Sequence, residues 1–181
     1  DPHQSEYVAA HWMEREWISG FTGSAGVVVV TMDHAGLWTD SRYFLQAEIQ
    51  LTGTEFVLHK MFNQFASPYI NFLGDHLSPE SIVSVNGFMF SKSAVDSMKK
   101  TLLENKIHLI HRLDLISQIW KDRPSLSDAP ILFHEEKYSG KSTAQKLEQI
   151  REKMSEFQAD YHFISTLDDI AWTFNVRGSD V

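Results

Sequence analysis

Four consecutive valines, Val27 to Val30, follow a turn with glycines at Gly20, Gly23 and Gly26, and this pairing dictates how the first part of the chain can be built. Four β-branched residues in a row favour a strand buried on both faces. Asp33-His34-Ala35-Gly36 suits a hairpin connection to a second strand-like run, Leu37-Trp38-Thr39. The polar cluster Asp40-Ser41-Arg42-Tyr43 comes next, at the mouth of a helix expected to reach Leu51. Phe44, Leu45, Ala47, Glu48 and Leu51 give that helix an apolar stripe with a polar interruption. Asp40 suits the N-cap, because its carboxylate accepts hydrogen bonds from the first free amides. Trp38, Asp40, Arg42 and Tyr43 therefore gather where a strand ends and a helix begins, the place where open α/β sheets bind ligands.

Further along, strands and helices are expected to alternate. Residues 1–7 read as extended chain or loop, and 8–17 as a loop with a short helix holding two tryptophans. A strand is expected at 55–60, a connector at 62–65, and a helix at 68–77 with Pro68 in its first turn. A strand at 81–85 leads to an Asn86-Gly87 turn. Ser91 caps a helix to Asn105 with Val95, Met98, Leu102 and Leu103 inward. A strand at 107–110 and a short helix at 113–120 complete the series. The alternation argues for an α/β fold, a mixed sheet flanked by helices.

The Pro- and Ser-containing stretch around 122–130 reads as a linker between a first domain, 1–121, and part of a second, similar domain, 131–181. In that second part 131–133 begins new structure, and a long helix at 143–158 carries Leu147, Ile150, Met154 and Phe157 at helical spacing. A strand is expected at 161–165 and a helix at 167–175, with Asp168 and Asp169 favoured in its first turn by the helix dipole. The segment 131–181 is too short to repeat the first domain in full. The start at Asp1 rather than Met, and the stop at Val181, lead us to expect a fragment.

Composition narrows the function. Of 181 residues 43% are hydrophobic, enough for a globular core, and the formal net charge is −8. No basic face is visible, which argues against nucleic-acid binding. No apolar run has the length of a membrane span, and no signal peptide is visible. The absence of cysteine excludes disulfides and thiolate metal sites and is compatible with a cytoplasmic location.

Several motifs invite chemistry and fail a spacing test. The glycines precede a strand rather than follow one, so a tight, closely packed turn explains them better than a phosphate loop. Gly140-Lys141-Ser142 lacks the first glycine of a P-loop and has no strand before it. No pair of the nine histidines shows HExxH spacing, and His108 and His111 would point to opposite faces of a strand. Ser24 does not lie on a strand–turn–helix elbow. Asp168 and Asp169 diverge by about 100° on a helix and cannot pair. The strongest local candidates are Asp40, Arg42 and Tyr43. Two readings stand: helix capping with Arg42 paired to a carboxylate, or Arg42 projecting into a cleft to hold a carboxylate or carbonyl. Arg177 is a weaker candidate, with an ion pair to Asp180 as its alternative.

DPHQSEY, SGFTGSAG, LWTDSRYFLQAE and, at the far end, TLDDIAWTFNVRGSDV occur in this order, and they resemble the N-terminal region of the three-domain Xaa-Pro aminopeptidases, aminopeptidase P. Residues 52–160 resemble the family mainly in pattern. The resemblance implies a creatinase N-terminal domain of ribonuclease-H-like topology, followed by part of a second one. A catalytic domain with two divalent metal ions, manganese by expectation, would follow, cleaving the peptide bond before proline. No catalytic residue and no metal ligand is expected in this chain. Its implied role is to shape a cleft for short peptides with proline second, with Arg42, Tyr43 and Asp40 facing it, and to aid assembly of a homodimer in the cytoplasm. Ser41 stands where many relatives carry glycine, and a first helix and strand usual in the family are missing, which would leave a sheet edge exposed. Two other readings remain: a freestanding or pseudoenzyme binding module, and a nucleotide-binding α/β protein using the glycine turn.

Overall fold

The computed structural model describes residues 7–63 and 67–178. The elements are α1 (Glu14–Ser19), β1 (Val27–Val30), β2 (Ala35–Asp40), α2 (Phe44–Gln50), β3 (Phe56–Met61), α3 (Pro68–His76), β4 (Ile82–Ser84), α4 (Lys92–Glu104), β5 (His108–Ile110), α5 (Ile116–Ile119), β6 (Leu132–Phe133), α6 (Glu136–Ser139), α7 (Thr143–Glu156), α8 (Leu167–Phe174) and β7 (Val176–Arg177). They fall into two compact units, His11–Arg123 and the remaining described residues, 7–10 and 124–178.

The first unit is built on β2. It lies between β1, antiparallel, and β3, parallel, so the sheet is mixed. Alternation along β2 sends Leu37 to one face and Trp38 to the other. Leu37 joins Phe21, Ala47 and Leu51 in one core, beneath α2. Trp38 faces Phe72 of α3, their ring centroids 5.0 Å apart. A second core, Ile70, Leu73, Val95, Met98, Leu102, Ile107 and Leu109, joins α3 and α4 to the parallel pair β4–β5.

Three expectations need correction here. β2, not the valine strand, is the doubly buried one: Gly36 to Asp40 are all buried. β1 pairs on one side only among the described residues. Val28 packs against one core and Val29 against the other, while Val30 is exposed. Leu45 is exposed rather than inward, because a helix of seven residues offers the sheet a narrow stripe, Ala47 and Leu51, and Leu45 lies two positions from Ala47. Leu103 is exposed for the same reason: it sits about 100° round the helix from the fully buried Leu102.

In the second unit β6 and β7 pair antiparallel. The long helix α7 starts with a capping box, in which Ser142 and Gln145 each satisfy the other's backbone amide. The strand expected at 161–165 is not formed; Tyr161 and Phe163 are exposed and no strand among the described residues pairs with them. Phe157 is likewise exposed, and the residue that α7 buries is Lys146. Residues 1–6, 64–66 and Asp180, on which parts of the expected loop, connector and Arg177 ion pair fall, lie outside the described residues.

Candidate functional site

Asp40 ends β2 with an extended backbone, and its Oδ1 accepts the amide hydrogen of Arg42 at 3.1 Å. This starts a single 3-10 turn, Ser41–Tyr43, which feeds α2. The Arg42 side chain folds back onto the same carboxylate. Its Nε donates to Oδ1 at 2.8 Å and its Nη2 to Oδ2 at 2.7 Å. This is the capping reading, with Arg42 paired to a carboxylate: Asp40 caps, and it also grips the guanidinium with two parallel bonds. These bonds hold the Asp40 carboxyl below its usual range against an opposing effect of burial, and they push the Arg42 guanidinium above its own. The Asp40 side chain is 10% exposed and that of Arg42 61%, so the charge at the surface is positive. The Nη1 side of Arg42 makes no hydrogen bond to the described residues.

Tyr43 stands beside it. Its ring meets Phe21 edge-on, lies 5.2 Å from the Arg42 guanidinium, and its Oη is 2.5 Å from Ser24 Oγ. The glycine turn is thereby tied to the polar cluster. Thr39 Oγ1 donates to Ala25 O at 2.6 Å. A Cβ at Gly23 would lie 2.2 Å from the Phe21 ring, and one at Gly26 3.0 Å from Trp38 O, so these glycines serve close packing. Arg15, which sequence reasoning missed, braces the turn: its Nη1 donates to Gly26 O at 2.9 Å and its Nη2 to Gly23 O. Its Nε is buried without a partner among the described residues, and burial depresses its pKa. The only hint in the sequence is a cation on the short helix before a glycine-rich turn.

A second cluster was also missed. Nε2 of His34 and Nε2 of His59 lie 3.0 Å apart, the His59 ring stacks on Trp38 at 3.9 Å, and His76 stacks on Phe72 at 4.1 Å. In the second unit the buried Lys146 donates to Trp172 O at 2.7 Å and to Asn175 Oδ1 at 2.5 Å. A cation at the end of α8 complements the helix dipole, so this lysine is a structural cap. Arg177 donates to Val176 O and Ala171 O and is likewise engaged locally.

The Asp40–Arg42–Tyr43 arrangement is suited to binding rather than to bond cleavage. Asp40 is neutralised by Arg42 and cannot serve as a general base, and Ser24 has a phenol rather than a base beside it. What the cluster offers a ligand is a fixed guanidinium and two hydroxyls.

A family model described as the Creatinase/Prolidase N-terminal domain matches residues 11–118. The chain belongs to the creatinase/prolidase N-terminal family. A second model of the same description matches 122–181. Aminopeptidase P2 of Arabidopsis thaliana is 41% identical over all of the chain and 26% of its own length, and Xaa-Pro aminopeptidase 1 of Dictyostelium discoideum is 39% identical over all of the chain and 30% of its own. The crystal structure of an X-prolyl aminopeptidase from Caenorhabditis elegans superposes on the whole chain, and on 30% of that protein, with a TM-score of 0.86 at 32% identity. That protein is described as a cytosolic enzyme with a di-nuclear active site. The chain thus spans less than a third of the length of each of these three relatives, and in this family it corresponds to the N-terminal region of aminopeptidase P homologues. Among the described residues no group of three or more His, Cys, Asp or Glu could hold a metal ion. The donors of a di-nuclear centre are not gathered on these residues. No described helix is long and apolar enough to cross a membrane.

Proposed function

We propose that this chain is the non-catalytic N-terminal region of a metal-dependent, cytoplasmic Xaa-Pro aminopeptidase, and that Arg42, supported by Asp40 and Tyr43, lines the cleft that admits short peptides with proline second. The observation that carries the reading is the exposed guanidinium clamped by a shielded carboxylate at the end of the central strand. Such a group presents a carbonyl or carboxylate with donors whose position is already fixed, so little side-chain entropy is lost on binding. The similarity of the entire chain to aminopeptidases P supports the choice of substrate class. On this reading residues 1–121 and 131–181 are two creatinase-type domains joined at 122–130. The two metal ions, manganese in the proposal, belong to a further domain, and the protein acts as a homodimer.

The test is Arg42→Ala in the intact enzyme, with Arg42→Lys beside it. The expected result is a loss of about tenfold or more in kcat/KM for an Xaa-Pro peptide, only partly recovered by lysine, which cannot keep two parallel bonds to Asp40. Unchanged kcat/KM in Arg42→Ala removes Arg42 from the cleft. An intact protein that binds such peptides without cleaving them returns the chain to the binding-module reading.

A further inference from the structure

The histidines at 34 and 59 are separated by 25 positions, yet their Nε2 atoms converge to 3.0 Å. Each ring is held from outside the pair. His59 lies flat on Trp38, with 5° between the planes, and His34 leans on Phe72 at 4.9 Å. Gly36 makes the room: a Cβ there would sit 2.7 Å from His34 Nε2 and 2.5 Å from the Trp38 ring. The rings are half-buried and His76, 6.2 Å from His34 between ring centroids, is exposed, so the pair is open to solvent on one side.

We infer that His34 and His59 form a two-imidazole chelate for a divalent transition-metal ion of the nickel or copper class. Imidazole nitrogens bind such ions at roughly 2.0–2.1 Å. Two nitrogens 3.0 Å apart then subtend an angle of roughly 90–97° at the ion. That is the angle between neighbouring ligands in a tetragonal site, which nickel and copper prefer, and it is narrower than the tetrahedral angle zinc takes. In the metal-free pair one imidazole donates its Nε2 hydrogen to the other. On binding, that hydrogen moves to Nδ1 of the same ring, both Nε2 lone pairs turn to the ion, and water fills the remaining positions. No net proton is released while both rings are neutral. In the metal-free pair the rings meet nearly head-on, their centroids 5.2 Å apart, so each ring tilts on binding to aim its lone pair at the ion, and for His59 a turn within its own plane keeps the stack on Trp38.

The test is a calorimetric titration of nickel chloride into the 181-residue chain at pH 7.5, for the wild type, His34→Gln, His59→Gln and, as a surface control, His108→Gln. The expected result is one site in the wild type, at least about tenfold weaker in either pair variant and unchanged in His108→Gln. Wild-type protein without a site, or pair variants that bind as well as the wild type, overturns the assignment. Should a pair variant fail to fold, substoichiometric copper added to the wild type decides. Amide NMR signals around residues 34–38 and 57–60 broaden first if the assignment holds, and broadening centred on another histidine overturns it.

Discussion

Arg42 and His59 are both held in place by neighbours, but their fixing was not equally visible in the sequence. Asp40 caps and grips a residue two positions away, so the geometry of Asp-Ser-Arg-Tyr could be anticipated from local chemistry alone. His59 owes its setting to Trp38, His34 and Phe72, which reach it through the sheet register and the packing of α3. Nothing in the local sequence encodes that meeting, and the same holds for Arg15 and the carbonyls of Gly23 and Gly26. His59 also has a pH consequence. Burial, and then the neighbouring His34 and His76, depress its pKa below the ordinary 6.5. The unfolded chain therefore takes up this proton before the folded one does. The His59 contribution to stability is present above about pH 6.5 and is lost as the pH falls from there through the lower folded value. The aspartates with depressed pKa values, Asp33, Asp40, Asp96 and Asp114, lose their contributions only in the acid range below 3.8. Urea unfolding at pH 7.5 and 5.5 is expected to show a smaller loss of stability in His59→Leu than in the wild type. Parallel losses in the two proteins would remove His59 as the cause.

Among the elements, the sheet and the short helix α1 show what pattern alone conveys. The valine run announced a strand, yet its depth depended on which strand gained neighbours on two sides, and that was β2. The alternation of strand and helix was legible because α2 covers a face of the β1–β2–β3 sheet and α4 packs on the β4–β5 pair. The strand expected at 161–165 failed because apolar composition supplies no pairing partner. α1 is anchored by residues about a hundred positions away. Arg123, with its side chain 8% exposed, donates to Glu14 Oε1 at 2.7 Å and to His11 O at 2.8 Å. Its guanidinium lies 5.5 Å from the rings of both Trp12 and Trp120, and Trp120 stacks on Trp17 at 5.0 Å. Burial raises the pKa of Glu14 even against this cation. Removing the cation leaves a shielded carboxylate alone, so Arg123→Ala is expected to cost roughly 2–3 kcal/mol. Glu14→Gln should recover part of that loss. A double-mutant cycle by urea unfolding checks it, and simple additivity would show that the two side chains do not act together.

At the scale of the whole molecule, the two units differ in how they are held together. His11–Arg123 contains both apolar cores. In the other unit the buried side chains among the described residues are Lys146, Thr173 and Asn175, while Leu132, Phe133, Phe163, Trp172 and Phe174 are exposed. Polar caps such as the Lys146–Asn175 contact orient α7 and α8, but a hydrogen-bonded lysine contributes far less than a buried apolar cluster of the same extent. Residues 11–123 produced alone are therefore expected to unfold in one cooperative transition, with a Tm within about 5 °C of the main transition of the 181-residue chain. Residues 124–181 produced alone are expected to unfold without a sharp transition and to bind a hydrophobic dye. Scanning calorimetry of the two pieces is the measurement. A cooperative transition in 124–181 would mean that its apolar side chains find a core of their own. An unfolded 11–123 would mean that its two cores depend on the second unit.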